Sequence, residues 1–428
     1  MTDVPSDVPQ AAGVPGASIA VSPWSALGSA GAAQVFALAV AMVTLTITAR
    51  WLGPEGRGTI SASLGWGTLF AAVGGLSLGP VAQHRATQGR GADWLAGLLE
   101  HLLTMAGIVT IVSWIAIAAL YAVTNGSAFG QLGPSTLFVA ALAIPFAIWE
   151  QYGGALLTAS GDVPAYSRAI IVGRGLGLVL VFAAFLGRAR VEVVVLTTVA
   201  AQATVAALVF RAVARDRTLT WPTSTQELRR LVADGGRLHL NYVGGYLVGN
   251  SGVLVVNYFL GTGPTGIYQM ALQLASVPGV LSQAAAMVMS GLVAGLGPDA
   301  AWPVQRRLLL QVMAFLSVAL PVGGLLAGHV VPYLFGANFA HAVPLLRWLL
   351  VPALLGSFVT MLTPQWVGRG LFMTISLLSL VAGALVLGLT IALVPRMGAM
   401  GAVAASIAVY ATSAIAQLAL LRRKLGHV

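Results

Sequence analysis

The chain has 428 residues, 58% of them hydrophobic and only 8% charged, with a mean hydropathy of +0.89. Soluble domains carry about 25% charged residues, so a chain this poor in charge cannot cover a water-facing surface, and a soluble enzyme is excluded. There is no cysteine, which removes disulfides, thiol catalysis and cysteine-ligated metals; the net charge of +10 rests on 21 Arg and one Lys, placed in short loops where it sets membrane orientation rather than nucleic-acid binding.

Residues 1–25 are rich in Pro, Ala, Val and Ser, with Asp3 and Asp7 but no basic residue. A secretory signal needs a basic start before its apolar core, so a disordered cytoplasmic tail is expected instead. Apolar stretches long enough to cross roughly 30 Å of hydrocarbon then recur to the end of the chain. The predicted spans are 26–48, 59–81, 102–122, 137–158, 169–186 and 191–210, then 240–260, 267–293, 308–331, 343–363, 371–394 and 400–421. Each must be helical, because an unpaired backbone group in hydrocarbon costs several kcal/mol. The expected fold is an all-α polytopic membrane protein of about 12 transmembrane helices.

Orientation follows from the arginines. With the N-terminus inside, inner loops hold 15 Arg or Lys and outer loops five (Arg50, Arg57, Arg188, Arg190 and Arg396), with Arg174 and Arg347 left inside spans. Both termini are therefore expected in the cytoplasm, on a multi-pass protein of the cell membrane. The segment from Arg211 to Arg237 is the one long polar stretch between spans. It divides the chain into an N-terminal six-helix bundle (26–213), a cytoplasmic linker (214–236) and a C-terminal six-helix bundle (237–421), followed by a basic tail (422–428).

The halves repeat one another. Leu52-Gly53-Pro54-Glu55-Gly56-Arg57-Gly58 matches Leu260-Gly261-Thr262-Gly263-Pro264-Thr265-Gly266 at an offset of 208, and the same offset carries spans 2 to 6 onto spans 8 to 12. A second match, Val172 to Leu176 with Val367 to Leu371, has an offset of 195 and breaks that register. An even number of helices per half gives both halves the same topology, related by a pseudo-two-fold along the membrane normal.

Several of these stretches resemble one family. Thr48 to Gly58 is similar to the first outer loop of polysaccharide and O-antigen flippases, in the multidrug/oligosaccharidyl-lipid/polysaccharide exporter superfamily. Gly74-Gly75-Leu76-Ser77-Leu78-Gly79-Pro80 is similar to the end of span 2 there, and Leu260-Gly261 through Gly266-Ile267-Tyr268 to the motif after span 7. Tyr333 to Ala340, with Ala342 and Leu345-Leu346-Arg347, resembles the loop and helix after span 9. The resemblance runs from about residue 26 to 421. It implies two six-helix bundles around a cavity that opens alternately to each side. It also implies a lipid-linked oligosaccharide substrate, usually on undecaprenyl pyrophosphate, moved from the cytoplasmic to the outer leaflet. Glycosyltransferases and a polysaccharide polymerase would be the partners, beside membrane lipids. Many such flippases have 14 helices; in some, the extra pair forms a groove for the lipid tail.

A flippase of this kind needs a wet cavity with polar walls and cations, and Arg suits pyrophosphate because its planar fork binds oxygens in pairs. Arg174 and Glu150 both lie about eight residues from the inner ends of consecutive spans, roughly 12 Å deep at 1.5 Å per residue. They form either a structural ion pair or a phosphate contact beside a protonatable coupling group. Arg347 either snorkels to the interface or lines the cavity. Arg237 and His239 open span 7, where they meet incoming pyrophosphate or anchor the helix. Asn250, Asn257, Gln34 and Gln283 serve helix-to-helix hydrogen bonds or sugar contacts. Glu100 and His101 are expected in water.

Gly173, Gly175 and Gly177 read as close helix packing rather than a nucleotide loop. Two histidines, His329 and His341, make no metal site, and no Walker motif for ATP is present. No cofactor is called for; proton or sodium coupling is left open. Two alternatives stand beside the flippase. A cation-coupled multidrug exporter would favour deep acids, of which Glu150 is the one found; a polysaccharide polymerase or ligase would carry a large outer loop, which is lacking.

Overall fold

A computed structural model describes residues 23–86, 93–215 and 225–425. Most of the predicted tail, 1–25, therefore lies outside the described residues. The structure is built of helices, with no strand among the described residues. The first half comprises α1 (Pro23–Gly74), α2 (Leu78–Ala86), α3 (Asp93–Thr124), α4 (Pro134–Ala141), α5 (Ile144–Ala159), α6 (Val163–Leu186) and α7 (Val191–Ala214). The second comprises α8 (Thr225–Leu260), α9 (Thr262–Ser276), α10 (Gly279–Leu296), α11 (Pro298–Phe335), α12 (Ala342–Gly368), α13 (Phe372–Met397) and α14 (Ala399–Leu425).

Among the described residues, 11 helical segments are long and apolar enough to cross a membrane. The first, Gly31–Ala82, has 52 residues, enough for two passes at 1.5 Å per residue, and it reverses at Gly53. That gives twelve passes, as the hydropathy predicts. Pass 4 is broken between α4 and α5 at Leu142–Ala143, and pass 8 between α9 and α10 at Val277–Pro278. With an even number of passes, α1 begins and α14 ends on the same side. We call this the terminal face, and the side holding Gly53 the far face.

Gly53 explains the first reversal. Its φ of 64° and ψ of −171° fall in a region open only to glycine, and Pro54 follows with the fixed φ that suits a helix start. Gly261, 208 residues later, has φ 83° and ψ −173°. The two motifs matched in sequence thus share one backbone conformation.

The two matched segments also cross each other. A Cβ on Gly58 would lie 1.7 Å from the Thr262 carbonyl oxygen, and one on Gly266 would lie 2.0 Å from that of Pro54. The offset of 208 carries Gly58 onto Gly266 and Pro54 onto Thr262, so the two contacts exchange under the repeat. Main chain lies directly on main chain here, and any side chain would force the two helices apart.

Each half has its own apolar packing. Leu99, Phe129, Ile144, Tyr152 and Val209 anchor the first; Tyr268, Met270, Phe335, Phe339 and Val403 anchor the second at its far-face end, and Met361, Leu362 and Trp366 anchor it toward the terminal face. Two elements trespass. Leu45 and Ala49 of α1 are buried in the second half's cluster, and Leu231 of α8 in the first's. The polar segment 214–236 is accordingly helical from Thr225 onward. Its charges hide the few apolar residues, Leu228, Leu231 and Val232, that dock it.

Candidate functional site

At the far face, side chains reinforce the main-chain crossing. Arg50 donates from Nε to the Leu334 carbonyl at 2.7 Å and from Nη2 to that of Tyr333. These are terminal carbonyls of α11, where a cation also complements the helix dipole. Asn257, fully buried, donates to the Phe129 carbonyl at 2.9 Å. Arg57, half-buried, donates from Nη2 to Gln273 Oε1 at 3.0 Å, while its Nε is buried with no partner. All three interactions join the two halves.

Toward the terminal face the seam is uneven. The second limb of α1 packs along α8, where the Tyr246 hydroxyl donates to the Gly65 carbonyl at 2.9 Å. His239 Nε2 meets the Val73 carbonyl at 2.7 Å, and its Nδ1 meets Ser77 Oγ at 3.4 Å. A Cβ on Gly235 would sit 2.4 Å from the Leu76 carbonyl oxygen. Elsewhere the helices keep to their own halves: α6 packs on α1, α5 and α7, and α10 on α11 and α12. Among the described residues, the halves are therefore clasped at the far face and along one seam, and lack comparable packing on the other.

Inside the second half lie two adjoining cavities of about 360 and 310 Å³. Both touch Val248, Ala275, Ser276, Pro352, Ala353 and Tyr410, so they form one cleft bounded by α8, α9, α10, α12, α13 and α14. Its far-face end is lined by Asn250, Gln269 and Gln273, directly below Arg57. Gln269 Oε1 is buried without a partner. The apex thus places a guanidinium near the N-termini of the second limb of α1 and of α9, which present positive charge, beside two carboxamides whose N–H groups donate and whose oxygens accept.

The predicted residues scatter. Asn250 lines the cleft, its amide donating to the Tyr246 carbonyl of its own helix at 3.2 Å. Gln283 lines it too. Arg174 is paired with Glu150 at 3.0 Å, and Gln202 donates to the other Glu150 oxygen at 3.3 Å. This trio ties α5, α6 and α7 inside the first half. His239 joins the halves. Arg347 lies on the face of α12 opposite the cleft: its Nε donates to the Gly324 carbonyl at 2.9 Å, over the glycines of α11. Gln34 is exposed on the first limb of α1. The side chain of Arg237 lies outside the described residues. Glu100 and His101 depart from expectation: both are buried, at 4% exposure each, because α3 begins at Asp93 and carries them into the first half's core.

Arg57 was counted with the outer-loop arginines. Pro54 restarts the helix immediately after Gly53, so Arg57 sits on its first turn and reaches the seam. The signal was the glycine-proline pair ahead of it.

A family profile described as "Polysaccharide biosynthesis protein" matches residues 99–344, more than half of the chain. The chain belongs to that family. No curated protein matches it. Among solved structures, a multidrug resistance MATE family transporter of the MOP superfamily in its inward-facing conformation is similar at a TM-score of 0.73 and 18% identity, over 91% of this chain and 95% of that one. The outward-facing conformation of such a transporter gives 0.67 at 18% identity, over 95% and 96%. The lipid II flippase MurJ, in an inward closed conformation, gives 0.72 at 11% identity, over 92% and 87%. This polysaccharide biosynthesis protein therefore has the transporter fold of that superfamily, as the sequence resemblance implies.

Proposed function

We propose that this membrane protein flips a lipid-linked oligosaccharide, carried on a polyprenyl pyrophosphate, from the inner to the outer leaflet by alternating access. The terminal face is cytoplasmic in this reading, and the far face is the outer gate, here shut. The observation that carries it is the polar cleft ending beneath Arg57, in a chain of the polysaccharide biosynthesis family. A sugar headgroup and its phosphates need a sheltered, hydrogen-bonding route through hydrocarbon, since unpaired polar groups there are costly. Arg57 and two helix N-termini supply the positive end for an anion. Export of cationic drugs, the second reading, would call for acids on the cleft wall; none of the residues lining either cavity is acidic. The role is transport rather than catalysis, with the pathway's glycosyltransferases and polymerase as partners and the cell membrane as its place.

The test is deletion of the gene, followed by measurement of which leaflet holds the lipid-linked glycan. Accumulation on the inner leaflet is expected. An unchanged distribution would remove the proposal.

A further inference from the structure

We infer that the cleft inside the second half is a subsite for the uncharged sugar units of the carried glycan, distinct in chemistry from the cationic apex at Arg57. The inference rests on the flippase reading and adds which part of the substrate each region takes.

The argument starts from the wall. None of the residues lining the two cavities is charged, so the cleft offers a phosphate no cation and a cationic ligand no counter-charge. It offers hydroxyls and carboxamides instead, which both donate and accept. A sugar ring presents the matching set: hydroxyls that do both, on a frame with apolar C–H faces.

Several polar wall groups are unspent. Ser276 and Ser357 donate to carbonyls of their own helices. The polar ends of Gln283, Thr360, Ser379 and Ser413 have no protein hydrogen-bond partner among the described residues. Gln417 is held by the buried Trp366, whose indole N–H donates to its Oε1 at 3.0 Å. That bond fixes the carboxamide, leaving its N–H groups as donors beside the cavity. A dry packing defect would be apolar; this cleft is ringed with unused donors and acceptors.

The backbone makes the room. A Cβ on Gly245 or Gly279 would meet nothing within 4 Å, and Gly356 admits the Tyr410 ring, whose Cε1 would lie 3.0 Å from a Cβ there. The Tyr410 ring thus packs against Gly356 of α12 on the cleft wall, an apolar surface beside the polar groups. The two volumes, about 360 and 310 Å³, fall in the range of small-molecule sites.

The experiment uses the full chain in lipid nanodiscs with two probes: bare undecaprenyl pyrophosphate, and the lipid-linked oligosaccharide extracted from cells that make this protein. Wild type is expected to bind the glycosylated carrier about tenfold more tightly or better, the yield of one or two added neutral hydrogen bonds. Gln283→Leu combined with Ser413→Ala should erase that advantage and leave affinity for the bare carrier unchanged. Thr360→Val, close in shape to the native residue, should lose part of it without altering the unfolding temperature. The inference is overturned if the double variant keeps the advantage or loses both probes equally, or if wild type binds both alike. Wild type binding neither probe would instead remove the flippase reading itself.

Discussion

Arg57 and Arg174 separate two uses of arginine in a membrane. Arg174 is matched by Glu150 and Gln202, whereas Arg57 has an amide partner and a buried Nε left over. We expect Arg57→Gln to cut transport at least about tenfold, the worth of one charge-assisted hydrogen bond, with unchanged protein in the membrane. Arg57→Lys should be intermediate, because it keeps the charge and loses the fork. Leaflet assays on reconstituted vesicles measure both; wild-type rates for Arg57→Gln would refute the apex. For the first-half trio, removing one partner leaves a charge unpaired. Glu150→Gln should destabilise by roughly 1–2 kcal/mol, below the usual cost for a buried pair because Arg174 is 34% exposed. Glu150→Leu with Arg174→Met should recover the unfolding temperature. If that double variant also transports normally, the pair is structural and plays no part in coupling. Sequence placed Arg174 and Glu150 at one depth correctly because they share a register on antiparallel helices. It missed Arg57 because a residue between two apolar runs is counted as loop. The cleft was equally hidden: its Ser, Thr and Gln residues are spread over several helices, and no single helix shows the pattern.

At the scale of elements, breaks and crossings matter more than spans. The twelve passes were legible because hydrocarbon demands long apolar helices, and the repeat was legible because Gly53 and Gly261 need conformations open only to glycine. The start of α8 was not, since a helix docked by three apolar residues among charges has no hydropathy signal. The turn before α2 was not either: Leu76 and Ser77 both have positive φ, 47° and 50°, which side chains disfavour. They are held there by Tyr152, whose hydroxyl donates to the Gly75 carbonyl at 2.7 Å, and by the approach of Gly235. Gly58→Ala tests the far-face crossing, because its added methyl meets the Thr262 carbonyl. The far face should then open. Since the chain has no cysteine, Gln273→Cys is a clean reporter: a membrane-impermeant maleimide added from the far side should label it faster in the Gly58→Ala background. Equal labelling would mean that the crossing does not seal the cleft.

For the molecule as a whole, the charge bias and the clasp make separate claims about sidedness. A cysteine added after Val428 should react with an impermeant maleimide only after cells are permeabilised, while one replacing the exposed Arg188, in the α6–α7 turn on the far face, should react in intact cells. The reverse pattern would invert the orientation drawn from 15 inner and five outer basic residues, and with it the direction of transport. The far-face clasp carries one more consequence. Its centre is main chain on main chain at Gly58 and Gly266, so parting that crossing itself uncovers little apolar side chain, and hydrophobic energy scales with the apolar area uncovered. A machine that must visit two shapes in every cycle stalls if either is much deeper than the other. With bare peptide at its centre and side-chain hydrogen bonds from Arg50, Arg57 and Asn257 around it, the clasp shuts the far face while keeping the latch light.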